Sequence, residues 1–166
     1  MPEKEMKYDR EGYKHKSSSR IQLNTSLLGI VIGIFFLTIN LRQELLLPKI
    51  VATQLVLSIP LLLTSILAYS KMGYRKATDQ WNILGWTTFN IAFAFILNVI
   101  GIMLANVISW TTSFTFFAVS WILVIIYSIA DYIEDKSVLK EKLIKDSLFI
   151  LIQIILGIFV ILGFIG

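Results

Sequence analysis

Five long runs of this sequence carry almost no charge, and they restrict what the chain can fold into. Each run is close to the roughly 20 residues that an α-helix needs to cross a bilayer. Because 56% of the 166 residues are hydrophobic and only 16% are charged, the composition excludes a soluble globular class. The sequence therefore predicts an all-α integral membrane protein, a bundle of five transmembrane helices. The predicted spans are residues 21–41, 48–70, 81–106, 110–132 and 147–166.

A four-span arrangement is the alternative, with the last segment lying along the membrane surface. That segment has no polar face, so five spans fit the sequence better. With five spans and the N-terminus inside, every lysine and arginine except Arg42 and Lys49 belongs to a cytoplasmic segment, out of 15 in all. This imbalance predicts an N-in, C-out orientation in the cell membrane.

The polar stretch before the first span, residues 1–20, is predicted to be a flexible cytoplasmic tail, and residues 21–166 form the transmembrane domain. Lys14, Lys16 and Arg20 directly precede the first span. We interpret them as the orientation signal, with contact to anionic lipid headgroups as the alternative.

Small and polar residues recur along one face of three predicted spans. Residues three, four or seven apart share a helix face, so these three stripes predict a common buried interface. In the first span, the glycine pair fits the G-x-x-x-G pattern, which lets another helix approach closely, either from this chain or from a second copy in a homo-oligomer. The stripe residues are Gly29, Gly33 and Asn40, then Thr87, Asn90, Asn98 and Gly101, and finally Ser113, Ser120, Tyr127 and Asp131.

The sequence contains no recognisable catalytic or metal-binding motif. Cysteine is absent, and the only histidine, His15, lies in the polar tail without ligand partners nearby. Between residues 51 and 130 the charged residues all fall in one connection, residues 71–79, which makes a charged voltage sensor or a buried proton relay improbable. Asp131 is expected to cap or pair at the membrane surface, with a catalytic or ion-binding role as the alternative. We therefore predict no enzyme, no cofactor and no nucleic-acid partner.

Uncharged polar residues inside the spans carry the functional hypotheses. Interhelical hydrogen bonds average only about 0.6 kcal/mol, so stability is a modest reason for so many of them, although they could simply hold the helices together. The functional interpretation is a small oligomeric channel or transport subunit with an uncharged polar lining. The alternative is a membrane-embedded sensor, regulatory or scaffold subunit that binds a cytoplasmic protein through its tail and loops. A lipid-handling role is a third possibility. The residues are Asn40, Gln54, Asn90, Asn98 and Gln153.

Overall fold

The computed structural model describes residues 3–45, 48–72, 78–134 and 139–163, and nearly all of them are helical. Five helices are long and apolar enough to cross a membrane, which confirms the all-helical prediction and the number of apolar spans. The last helix passes through a π-helical segment, Ile154–Ile158, before a final short turn. The α-helices are α1 (Glu3–Leu45), α2 (Lys49–Met72), α3 (Thr78–Val107), α4 (Trp110–Glu134), α5 (Leu139–Gln153) and α6 (Phe159–Ile161).

The first helix extends well beyond the predicted first span. α1 begins at Glu3, so the stretch for which the sequence predicted a flexible tail continues the helix without a break. Tertiary contact reaches back at least to Ser17, which is buried and donates its hydroxyl to the Tyr69 carbonyl oxygen over 2.5 Å. A polar side chain that packs through a hydrogen bond does not add to the hydrophobicity of the sequence. The packed part of the helix therefore extends beyond the apolar segment.

The connection between α3 and α4 is a tight turn with a side-chain cap. The backbone N–H of Thr112 donates to Ser109 Oγ over 3.1 Å, so Ser109 satisfies one of the free donors at the start of α4, as its position in the sequence predicts. The short link holds the two helices side by side.

α3 is the central helix of the protein. Half of its apolar window is buried, against 11% of the window in α4. α2 packs along α3, α1 packs mainly on α2, and α4 and α5 each pack on α3. The core therefore forms chiefly between α2 and α3. It consists of Val31, Val51, Leu55, Leu62, Ala92, Ile96, Val99, Ile102 and Val160.

The outward faces of the peripheral helices are apolar. Phe36 on α1 and Leu123 on α4 are each about 60% exposed, and they are surrounded by further exposed isoleucines and leucines. Exposed apolar side chains in this number are unfavourable in water and are typical of helices long and apolar enough to cross a membrane.

Candidate functional site

Four polar side chains from four helices meet in the interior of the protein. We call them the amide cluster, and they are Gln54 of α2, Asn98 of α3, Trp121 of α4 and Gln153 of α5. Asn98 Nδ2 donates to Gln54 Oε1 over 3.0 Å, and Trp121 Nε1 donates to Gln153 Oε1 over 2.5 Å. The three amide side chains are at most 1% exposed. The cluster therefore places several amide groups in an environment without solvent.

Backbone carbonyl groups within and just before the π-helical segment supply the remaining acceptors. Gln54 Nε2 donates to the Leu156 carbonyl oxygen over 2.9 Å, and Asn98 Nδ2 makes a longer second contact, 3.4 Å, to the Ile152 carbonyl oxygen. A π-helical turn shifts the helical hydrogen-bond register and often leaves carbonyl groups available to side chains. The irregular turn thus joins α5 to α2 and α3.

These hydrogen bonds determine which way each amide group faces. Gln54 must present Nε2 to a carbonyl oxygen, so its Oε1 must accept, and the Asn98 group beside it must be Nδ2. The indole N–H of Trp121 can only donate, so Gln153 must present Oε1 to it. Reversing any one amide would set two donors or two acceptors against each other.

Two polar atoms of the amide cluster are left without a hydrogen-bond partner. They are Asn98 Oδ1, an acceptor, and Gln153 Nε2, a donor, and both belong to fully buried residues. An unsatisfied buried polar atom costs about 1 to 3 kcal/mol, so such groups call for a partner. Asn98 Oδ1 can accept a hydrogen bond, and Gln153 Nε2 can donate one.

Asn98 and Phe117 can pack against residue 157 because it is a glycine. A Cβ atom at Gly157 would lie 2.6 Å from Asn98 Oδ1 and 3.0 Å from Phe117 Cζ. The Phe117 ring also lies against Gly101 of α3, where a Cβ atom would come within 2.4 Å of its Cζ atom. Phe117, which is 1% exposed, therefore fills the space between α3 and the π-helical segment next to the amide cluster.

Three of the predicted stripe residues lie at or beside this site. Asn98 is a member of the amide cluster, and Gly101 contacts Phe117. Ser113 is buried and donates its hydroxyl to the Gly101 carbonyl oxygen over 2.8 Å, which ties α4 to α3. The stripes of α3 and α4 therefore meet at their ends nearest the turn between these helices.

The other stripe residues on α3 and α4 do not reach the amide cluster. Thr87 and Ser120 donate their hydroxyl groups to carbonyl oxygens of their own helices, those of Ile83 and Phe116. Asn90 is only half-buried, and Tyr127 is 64% exposed. Asp131 lies in α4, but its side chain falls outside the part of the chain whose side chains are described.

The α1 stripe faces outward. Gly29, Gly33 and Asn40 are all exposed, and nothing lies within 4 Å of a Cβ atom built at either glycine. The three stripes consequently do not form one common interface within this chain. The buried face of α1 instead carries Asn24, Val31 and Thr38.

The stripes did not include Gln54, Trp121 or Gln153. Gln54 and Gln153 are visible in the sequence as polar residues in apolar runs, a costly placement, but neither is in register with a stripe. Trp121 lies in the middle of the apolar helix Trp110–Ala130 rather than at an end, where membrane tryptophans concentrate. That unusual position is the signal by which it could have been found.

A second set of polar contacts joins α1, α2 and α3 near the start of α3. Asn24 Nδ2 donates to Ser65 Oγ over 2.9 Å, and Ser65 Oγ donates to the Gly85 carbonyl oxygen over 2.7 Å. Nearby, Arg20 Nη1 donates to Asn82 Oδ1 over 2.7 Å and to Tyr69 Oη over 3.1 Å. The polar interior therefore has two separate parts, one towards each end of the helices.

No protein-family model, no curated protein and no solved structure matches this chain. Across residues 3–45, 48–72, 78–134 and 139–163, no group of three or more histidine, cysteine, aspartate or glutamate side chains is placed to hold a metal ion. The fold and the amide cluster thus define the class: a helical protein with five candidate membrane spans and an uncharged polar site among four of them.

Proposed function

We propose that this chain is a membrane transport subunit that binds small uncharged polar solutes at the amide cluster. The observation that carries the proposal is the pair of unsatisfied atoms, Asn98 Oδ1 and Gln153 Nε2, in residues that are fully buried. The surrounding hydrogen bonds fix both amide groups, so the acceptor and the donor are oriented before any ligand arrives. A site organised in advance loses less free energy on binding.

The chemistry of the amide cluster selects the class of solute. Its side chains are amides and an indole, without any ionised group, so an ion would lose its hydration shell without gaining a countercharge. A molecule with a hydroxyl or an amide can accept from Gln153 and donate to Asn98 at the same time. Glycerol and urea are simple members of this class, and a single bound water is the smallest occupant.

Passage of such a solute requires Phe117 to move. Its ring is buried beside both Gly101 and Gly157, so the conformation described here is closed at this level. Aromatic side chains can change rotamer when neighbouring helices shift. Pro60, which removes a backbone hydrogen bond within α2, offers a place where that helix can bend.

Solute uptake into proteoliposomes tests the proposal. Asn98→Leu keeps the side-chain size and removes both the acceptor and the hydrogen bond to Gln54, whereas Asn90→Leu makes the same change on the same helix at a half-buried position away from the cluster. We expect Asn98→Leu to lower glycerol and urea uptake about tenfold, the effect of losing one buried polar contact, and Asn90→Leu to leave it unchanged. Unchanged uptake in a folded Asn98→Leu variant would refute the proposal and leave the cluster a purely structural feature.

We further propose that the helices insert into the cell membrane with the N-terminus inside, as the distribution of lysine and arginine predicts. The amide cluster then lies nearer the outer side, because Gln54 is close to the start of α2 and Asn98 is nearer the end of α3. The outward stripe of α1, which contains Gly29 and Gly33, offers a surface on which copies of the chain could pack as an oligomer.

A second candidate function is that of a regulatory or scaffold subunit. It is favoured by the same exposed glycines of α1, which leave room for a helix of another protein. Gly33→Leu fills that room away from the amide cluster, so a transport subunit should retain uptake whereas a regulatory subunit should lose its partner in a pull-down. Light scattering then distinguishes a self-assembled oligomer from a monomer that requires another partner. It is measured on the purified protein with the detergent mass subtracted.

A further inference from the structure

Arg20 of α1 contacts side chains of both α2 and α3. Its Nη1 atom donates to Asn82 Oδ1 over 2.7 Å and to Tyr69 Oη over 3.1 Å. Its Cζ atom also lies 4.9 Å from the centre of the Tyr69 ring. An arginine that only marked the membrane surface would extend into water, so three simultaneous contacts indicate a positioned guanidinium group.

The charge of Arg20 is not neutralised by these contacts. Both acceptors, the phenol of Tyr69 and the amide of Asn82, are uncharged, and no carboxylate pairs with Arg20 among the side chains that the structure describes. Asp146, whose side chain is described, accepts a hydrogen bond from Ser128 of α4 instead. A half-buried cation near an apolar environment is stabilised when an anion binds it.

The free edge of the guanidinium group suits a phosphate. The two hydrogen bonds use Nη1, which leaves the Nε and Nη2 edge without a partner in the described part of the chain. That edge presents two parallel N–H donors, the arrangement that binds two phosphate oxygens at once. Tyr69 and Asn82 thus hold the group through Nη1, and no described side chain accepts from the other edge.

Other donors lie one helical turn along α3. Asn82 and Trp86 are four residues apart and so share a face of the helix. The Trp86 Nε1–H group is buried and has no hydrogen-bond partner, and Lys145 Nζ from α5 lies 4.0 Å from the centre of the Trp86 ring. Arg20 thus contacts Asn82, and Lys145 contacts Trp86 one helical turn further along α3.

We infer that Arg20, together with Trp86, forms a binding site for the phosphate group of an anionic lipid headgroup. The site lies at the end of the helices that the sequence predicts to be cytoplasmic, where the membrane leaflet carries negatively charged lipids. Lys71 Nζ stacks on the Trp81 ring at this same end, 4.7 Å from the ring centre, as expected for side chains near headgroups. This inference is independent of solute binding at the amide cluster.

Native mass spectrometry of the full chain in a neutral detergent tests the inference. The protein is mixed with equal amounts of phosphatidylglycerol and phosphatidylcholine, and the retained lipid is counted. We expect the protein to retain one phosphatidylglycerol molecule in preference to phosphatidylcholine. Arg20→Gln should weaken the binding of phosphatidylglycerol about tenfold. Arg20→Lys keeps the charge but loses the paired donors, so we expect an intermediate loss. Trp86→Phe should weaken binding less than Arg20→Gln.

Lys71→Gln is the matched control, because it removes one positive charge from an exposed position at the same end of the helices. Circular dichroism and thermal unfolding show whether each variant is folded. If Arg20→Gln does not fold, the comparison between Arg20→Lys and Lys71→Gln tests the inference. Equal losses in Lys71→Gln and Arg20→Gln would overturn the inference, since they would indicate diffuse attraction only. Equal retention of both lipids would also overturn it.

Inorganic phosphate distinguishes the two sources of the ligand. If millimolar phosphate fails to displace phosphatidylglycerol, the site is specific for the lipid, as we expect. If phosphate displaces the lipid and Arg20→Gln abolishes that competition, the phosphate chemistry stands and the ligand is a soluble phosphate.

Discussion

Trp121 donates its indole N–H to Gln153 Oε1, and this one contact between α4 and α5 decides which end of the Gln153 amide group is left unsatisfied. A tryptophan in the middle of an apolar helix needs an acceptor for its N–H group, and the amide oxygen provides it. The unsatisfied donor of the amide cluster is therefore a consequence of where a residue on a neighbouring helix lies.

Replacing Trp121 by phenylalanine keeps an aromatic ring and removes the N–H donor. We expect Trp121→Phe to lower the free energy of unfolding by about 1 kcal/mol, within the range of hydrogen bonds between membrane helices. Unfolding by titration with a denaturing detergent measures this change. Trp110→Phe, at a side chain that is 57% exposed, is the control and should have no measurable effect. Equal effects of the two changes would contradict the role given to this hydrogen bond.

A methyl group at residue 157 should disturb the amide cluster. In Gly157→Ala the new Cβ atom would lie 2.6 Å from Asn98 Oδ1, so either the amide or the π-helical segment must shift. We expect a loss of about 1 to 3 kcal/mol in stability, as in other overpacked interiors. Gly33→Ala is the matched change at a position with open space, and its better helix propensity should leave stability unchanged or raise it by up to about 1 kcal/mol. If both variants behaved alike, the close approach at Gly157 would be wrong.

Two serines on α4 should respond differently to removal of the hydroxyl group. Ser113 bonds to Gly101 on another helix, whereas Ser120 bonds to Phe116 on its own helix. We expect Ser113→Ala to cost roughly 0.6 to 1.7 kcal/mol and Ser120→Ala to cost close to nothing, because only the first loses a contact between helices. The same detergent titration measures both variants. A larger loss in Ser120→Ala would argue against the packing of α4 on α3.

Cysteine labelling can test the predicted orientation, because the sequence contains no cysteine that would interfere. Lys49 and Lys71 are both exposed and lie at opposite ends of α2. With the N-terminus inside, a membrane-impermeant maleimide should label Lys49→Cys in intact cells and Lys71→Cys only after permeabilisation. The reverse pattern would establish the opposite orientation.

The start of α4 coincides with the edge of an apolar run. α4 begins at Trp110, where the sequence placed it, since Ser109 caps the helix through a local contact between neighbouring residues. α1 was predicted less well. Ser17 and Arg20 extend the packed part of the helix through hydrogen bonds to residues about 50 positions away, and no local pattern reveals such partners.

Helical spacing alone did not determine which stripes are buried. Asn98 and Gly29 belong to equally regular stripes, yet Asn98 is fully buried and Gly29 is exposed. Spacing shows that residues share a face, but the direction of that face depends on which helices are neighbours. α1 packs mainly on α2 and presents its glycines outward, whereas α3 is surrounded on several sides.

The sequence by itself determined the helical class and the five apolar spans, because both follow from hydrophobicity and chain length summed over about 20 residues. Only the tertiary structure decided that Gln54, Asn98, Trp121 and Gln153 meet, because they come from four helices and none is adjacent to another in sequence. It also decided that one acceptor and one donor of this amide cluster remain unsatisfied. That outcome depends on the direction of each hydrogen bond, which is fixed by the positions of whole helices and not by any local order of residues.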